Sequence, residues 1–249
     1  MLRTRVIPII LLDGFSVLKT IRFDQRRNLG SPITVARTYN TRNVDELIIL
    51  DIDASKLDRA IDEFTIQDIA EECFMPLTVG GGVRTLGDIR KLLHRGADKV
   101  AINTEALNNP EFIAQASKEF GTQCIVVSID IIKVNGHYLP YKKGRPVADI
   151  EVLNWCKQAE TLGAGELLIN RVDLDGTMSG ADTVLAQQIA TLVNIPVIYA
   201  GGISSPENAA EVASTGIAAV AAASIYHFTS TTPNDCKLAM SDLGIPVRL

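Results

Sequence analysis

Two Gly-Gly pairs lie a constant 120 residues apart in this chain, and each is followed by residues suited to holding an anion. Gly81 and Gly82 precede Asn103 and Thr104, while Gly201 and Gly202 precede Ala223 and Ser224. Glycine lets backbone N–H groups approach an anion closely, and the N-terminus of a following helix adds a favourable dipole. Two such cradles facing one cavity would suit a small molecule phosphorylated at both ends. The carboxylates that could work between them are Asp51, Asp130, Asp173 and Asp175, with Gly176 next in the chain as a further phosphate-binding candidate. Asp130 closes the apolar run CIVVSID, where partial burial would tune a carboxyl group for acid or base work. Lys19 opens a long, polar, basic segment over residues 19–31 that would serve as a mobile lid over an anionic ligand or stand as a solvated loop. The candidate catalytic set is therefore Asp130, Asp175 and Lys19.

No histidine among His94, His137 and His227 has an evident catalytic partner. Cys73, Cys124, Cys156 and Cys236 show no CxxC spacing and no accompanying His cluster, so reduced thiols are expected, with no metal site and no cofactor.

To meet at one cavity, these residues must sit at the ends of regular elements. Short, β-branched apolar runs alternate with amphipathic stretches along the whole chain, the pattern of βα units in a parallel sheet. Eight strands are expected, at residues 6–11, 47–51, 77–79, 99–103, 124–130, 166–172, 196–200 and 218–222. Stretches such as 85–95 and 206–214 space their apolar residues three and four apart, as a helix covering a sheet requires.

The 120-residue offset extends well beyond the glycines. VGGGVRTLGDIRKLLHRGADKVAINT from Val79 lies over YAGGISSPENAAEVASTGIAAVAAAS from Tyr199, and DELIIL from Asp45 lies over GELLIN from Gly165. Gly96 then meets Gly216, and Glu46 meets Glu166. Two halves of four βα units each predict a single α/β domain over residues 1–249, a (β/α)₈ TIM barrel with chemistry on the loops after its strands. A doubly wound open sheet would leave the repeat unexplained.

The chain's 249 residues, 47% hydrophobic and 21% charged, exclude a disordered or collagen-like protein. Its net charge of −5 argues against general nucleic-acid binding, which needs a basic surface. Arg3 and Arg5 precede an apolar run at residues 6–12, but Asp13 ends it and no cleavage site follows. Nothing elsewhere approaches the roughly 18 apolar residues of a membrane span, so a cytoplasmic protein without membrane contact is expected.

The whole chain resembles the cyclase subunit of imidazole glycerol phosphate synthase. The resemblance rests on RVIP at Arg5, DELIILDIDAS at Asp45, LTVGGG at Leu77, GADKVAINT at Gly96, VSID at Val127, DLDGTMSG at Asp173, AGG at Ala200 and AAAS at Ala221. It implies a barrel that takes ammonia through its core from a separate glutaminase subunit and joins it to a bis-phosphorylated ribulosyl substrate. It also implies a ring of alternating charges closing the barrel bottom, at Arg5, Glu46, Lys99 and Glu166, with Asp98 at the glutaminase interface and Thr78 lining the conduit.

One position departs from that pattern. The family's two acid–base aspartates end strands one and five; the second is Asp130, but the first position holds Leu11, with Asp13 two residues further along. Losing a positioned acid or base typically costs about 10² to 10⁴ in rate. The stretch IILLDGFSVLKTIRF, with GSPI, ECFMPL, Asn170 and Arg171, is more similar to a second branch of the family. That branch works with a glutaminase-like protein and a sugar amidotransferase to turn an acetamido group into an acetamidino group for surface polysaccharides. The preferred expectation is an ammonia-accepting synthase subunit of this branch. The alternatives are the histidine-pathway cyclase, a catalytically silent scaffold that activates a glutaminase, and a phosphosugar isomerase, which would need a second strand-end carboxylate.

Overall fold

The computed structural model describes residues 3–249. In chain order the strands are β1 (Arg5–Leu12), β2 (Val17–Ile21), β3 (Gln25–Gly30), β4 (Leu47–Asp51), β5 (Leu77–Gly80), β6 (Lys99–Ile102), β7 (Ile125–Val134), β8 (His137–Lys142), β9 (Arg145–Pro146), β10 (Glu166–Arg171), β11 (Val197–Ala200) and β12 (Ala219–Ala222). β10, β11, β12, β1, β4, β5, β6 and β7 pair in parallel in that order, and β7 pairs with β10, which closes an eight-stranded barrel. All eight expected strands are present, and helices such as Leu86–His94 and Pro206–Ala213 fall within the two helical stretches read from the sequence.

Side chains alternate across each strand, so one set fills the barrel and the other packs under the helices. Ile7, Ile9, Leu11, Ile48, Val126, Leu168 and Ile198 fill the interior with alanines from β6, β11 and β12. Val6, Ile10, Leu12, Leu47, Ile49 and Tyr199 face outward into the larger helix-covered core. At roughly 1.5–3 kcal/mol for each fully buried Val, Leu or Ile, these two layers supply the main drive for closure.

The repeat survives in local geometry. Thr85 and Ser205 cap their helices by accepting from the N–H groups of Asp88 and Asn208, and Asp62 and Asp182 accept from Thr65 and Leu185. Each of these pairs is separated by the same 120 residues as the glycines.

Two hairpins extend the barrel at its mouth. Residues 19–31, expected as a mobile lid or solvated loop, largely form β2 and β3, with β2 pairing to β1. Their turn carries Arg22 and Phe23 at φ 52° and 61°. No Asn-Gly or Asp-Gly signal marks that turn, so the hairpin was not legible from its chemistry. β7 runs on past Asp130 and pairs with β8, so Asp130 sits at the mouth within a strand that continues beyond it.

At the opposite end the fully buried Lys237 reaches from the helix Pro233–Asp242 to Asn43 O (2.5 Å) and Asp45 Oδ1 (2.8 Å). Asp45 Oδ2 in turn accepts from the Val6 N–H at 2.8 Å, which ties the C-terminal helix to the first strands.

Candidate active site

Four carboxylates were expected around the mouth, and the fold assigns them different work. Asp51 accepts from Arg59 at 2.6 and 3.2 Å and from the N–H groups of Asp53 and Ala54 at 3.0 Å. With its acceptor positions occupied, it pins the loop after β4. Its repeat partner, 120 residues on, is Arg171. That buried guanidinium holds Asp173 at 2.9 and 3.1 Å and also pairs with Asp182. Each half thus clamps the same loop with an ion pair of opposite polarity, and Asp51 and Asp173 are structural.

Asp130 and Asp175 remain. Asp130 accepts from Asn103 Nδ2 at 2.9 Å and Asn170 Nδ2 at 3.3 Å. Burial pushes its carboxyl up to about 7, against the two amide hydrogen bonds and with a contribution from the charge of Asp175. Such a group is divided between acid and base near neutral pH, the condition for moving a proton in either direction. Asp175 accepts from Lys19 Nζ at 2.8 Å through both oxygens and from Thr20 Oγ1 at 2.9 Å. Lys19 is thus a buried strand residue, and the ion pair joins β2 to the loop after β10. Gly176 packs there so closely that a Cβ would lie 2.1 Å from Thr20 O, so this glycine is required by the hairpin contact.

The cradles have matched backbones. A Cβ on Gly81 would meet Asp51 O at 2.7 Å, and one on Gly201 would meet Arg171 O at 2.6 Å. Asn103 and Ala223 each precede a short helix with similar angles, φ −122°, ψ −78° and φ −133°, ψ −60°. Their surroundings differ. Gly81, Gly82, Asn103 and Thr104 border a cavity of about 450 Å³ that also reaches Asp130, Ser128, Arg22, Lys56, Lys143 and Tyr141. Gly201, Gly202, Ala223 and Ser224 border a cleft of about 40 Å³ with Lys19, Asp175 and Gly176. Ser224 Oγ is buried there without a hydrogen-bond partner, as is Asn103 Oδ1 on the other side.

Leu11 faces both cavities, where an acid–base partner of Asp130 was expected. Asp13 does not replace it, because its exposed carboxylate accepts from the Ser16 N–H at 3.1 Å and borders a separate groove outside the mouth. Among residues that the sequence did not single out, Lys56 and Lys143 bring positive charge to the larger cavity, and Phe23 meets Tyr141 edge-on over it at 6.4 Å. Lys143 lies in the basic stretch YKKGR, whereas Lys56 sits in a loop with Asp53, Asp58 and Asp62 and carried no such signal. Of the histidines, His94 and His137 are exposed, while His227 packs edge-on against Tyr39, and burial pushes it down to about 4.

At the barrel bottom, Arg5, Glu46, Lys99 and Glu166 form a closed ring. Arg5 binds Glu46 at 2.6 Å and also Glu166, and Lys99 binds both carboxylates at 2.9 Å. Thr78 donates to Glu46 Oε1 at 2.6 Å from within the barrel. Asp98 is exposed beside the ring and accepts from the Leu77 N–H at 2.8 Å. All four cysteines are free, and among the described residues no group of three or more His, Cys, Asp or Glu could hold a metal ion. No helix there is long and apolar enough to cross a membrane.

The family model described as histidine biosynthesis protein matches residues 5–232. A protein of Campylobacter jejuni, provisionally named imidazole glycerol phosphate synthase subunit hisF2, is 45% identical over 249 residues, the full length of both chains. The imidazole glycerol phosphate synthase subunit HisF of Thermobifida fusca is 42% identical over 254 aligned positions, covering 99% of each chain. With its duplicated barrel, paired cradles and ringed lower face, this chain belongs to the histidine biosynthesis protein family, within its HisF group.

Proposed function

We propose that this chain is an ammonia-accepting synthase subunit. A glutaminase would dock on its lower face beside Asp98, ammonia would enter through the ring, and nitrogen would be delivered to a phosphorylated small molecule or a protein-held acceptor at the mouth. The observation that carries this reading is the ring itself. Four charges that neutralise one another close the end of a mainly apolar interior in which Thr78 and Ser128 are the buried polar side chains. Neutral ammonia can cross such an interior, whereas ammonium would have to shed its hydration at heavy cost. At the far end Asp130 can take up or return the proton that nitrogen transfer requires, and the two cradles, with Lys19 beside the second, would hold the phosphates.

With Leu11 facing Asp130, the mouth offers one tunable carboxylate rather than two. That favours delivery of nitrogen to a sugar acetamido group held by a separate amidotransferase over closure of an imidazole ring. The histidine-pathway cyclase is the second reading, favoured by the full-length similarity to the Thermobifida enzyme. Purified protein given an ammonium salt and the histidine-pathway substrate separates the two. Turnover at least about 10²-fold below that of a HisF enzyme with both aspartates supports the first reading, and equal turnover refutes it. Leu11→Asp should raise the rate only if the remaining site is shaped for that substrate.

A further inference from the structure

Three large apolar side chains are exposed on the outer shoulder of the mouth: Phe15 (77% exposed), Leu57 (66%) and Phe64 (60%), the last with the Arg95 guanidinium 4.7 Å over one face of its ring. They come from the β1–β2 turn, the loop after β4 and the first turn of the helix Glu63–Ala70. All three border one groove of about 420 Å³, floored by Ile61, Val83 and Leu92. A single exposed apolar residue is ordinary, but three converging from separate segments mark a surface that is covered in use. Val83 borders both this groove and the larger mouth cavity, so the groove starts at the rim of the first cradle.

The charges around the groove say what covers it. Asp13, Asp62, Glu63 and Asp88 border it with Arg59 and Lys91. Arg59 is engaged by Asp51 at 2.6 Å, and Glu63 is engaged by Arg95 at 3.1 Å and Lys91 at 3.6 Å. Asp13, Asp62 and Asp88 have no salt-bridge partner among the described residues, and their carboxylates accept from loop and helix-start N–H groups. The result is an apolar centre with an acidic rim. A second copy of this chain would set that rim against itself, and the proposed glutaminase face lies at the other end of the barrel.

We propose that this shoulder docks the enzyme that consumes the nitrogen released at the mouth, through an apolar segment flanked by Lys or Arg. The inference rests on the proposed role in supplying ammonia to a sugar amidotransferase. Seated on Phe15, Leu57 and Phe64, such a partner would hold its acceptor over the first cradle, and ammonia would leave one protein for the other without crossing bulk water.

The test is a reconstituted mixture of this chain, its glutaminase, amide-¹⁵N glutamine, the sugar amidotransferase and an acetamido sugar. The triple variant Phe15→Ser, Leu57→Ser, Phe64→Ser, and separately Asp13→Lys with Asp88→Lys, should each lower ¹⁵N incorporation at least 10-fold. Glutamine hydrolysis in the same mixture, and amidotransferase activity with added ammonium salt, should stay at wild-type levels. Undiminished incorporation by both variants overturns the docking surface but leaves the ammonia-supply reading standing. Wild-type protein that hydrolyses glutamine yet never labels the sugar overturns that reading and the docking with it. Dimerisation of the wild-type chain alone that the triple variant abolishes would assign the groove to a second copy and also refute the proposal.

Discussion

Replacing Asp130 by Asn probes whether its carboxyl is raised to about 7 by burial at the mouth. A carboxyl that holds its proton more tightly in the folded state than in the unfolded chain, where it titrates near 3.8, makes the fold more stable at low pH. That contribution is fully present below the unfolded value and is lost as pH rises through about 7. Linkage puts the loss between pH 5 and pH 8 at about 3 kcal/mol if the whole shift is felt. Asp130 keeps partial exposure to the mouth cavity, so solvent screening reduces the expected effect to about 1–2 kcal/mol. Asn cannot titrate and is nearly isosteric, so Asp130→Asn should match wild type or fall slightly below it at pH 5 and gain about 1–2 kcal/mol on it by pH 8. Urea unfolding of both proteins at the two pH values measures this difference, and thermal melts should show a relative gain of about 2–8 °C for a chain of this size. A stability difference between the two proteins that does not change with pH would refute a raised carboxyl at position 130, and with it the idea of a single tunable acid–base group.

Lys99→Ala should lower glutamine-dependent activity more than activity with added ammonium salt, because the ring lies on the proposed entry route and away from the mouth; equal loss with both nitrogen sources would remove the conduit. Crystals grown in sulfate or phosphate should show anions near Gly82 with Thr104 and near Gly202 with Ser224, whereas empty density at both sites would count against a bis-phosphorylated ligand. Gly82→Ala would place its Cβ 1.9 Å from Arg59 O at φ +65°, so it should destabilise the fold by at least about 1–2 kcal/mol in urea unfolding and weaken phosphate binding. Lys237→Ala should cost about 1–3 kcal/mol by leaving Asp45 and Asn43 O without the ammonium while Arg248 stays 3.2 Å from Asp45, and Lys237→Met with Asp45→Asn should recover part of that loss.

The barrel was legible in the linear chain because its strands are buried on both faces. A strand covered by helices outside and packed side chains inside reads as a continuous apolar run, as CIVVSID and LIILD do. The repeat was legible for a related reason. Gly81 and Gly201 meet backbone atoms of residues themselves 120 positions apart, so the same steric demand recurs and keeps the same residue type. The four ring positions were named through the resemblance to the cyclase subunit, since charges at four strand starts do not by themselves fix who pairs with whom.

Only the tertiary structure decided which charges were free to act. Asp51 and Asp130 both follow apolar strand residues, yet Arg59, brought back by the loop after β4, neutralises one, while Asn103 just after β6 and Asn170 on β10 hold the other, half-buried, at the mouth. The order of residues does not show that Lys19 and Asp175, 156 positions apart, form a buried pair, because that contact exists only once the β2–β3 hairpin lies against the loop after β10. Nor does it show Asp13 turning outward, since the direction is set by the Ser16 N–H that its side chain accepts from. Burial and strand periodicity are properties of neighbours along the chain and leave their mark in it. Charge pairing depends on which loop ends the closed barrel brings together, and it is settled when the barrel closes.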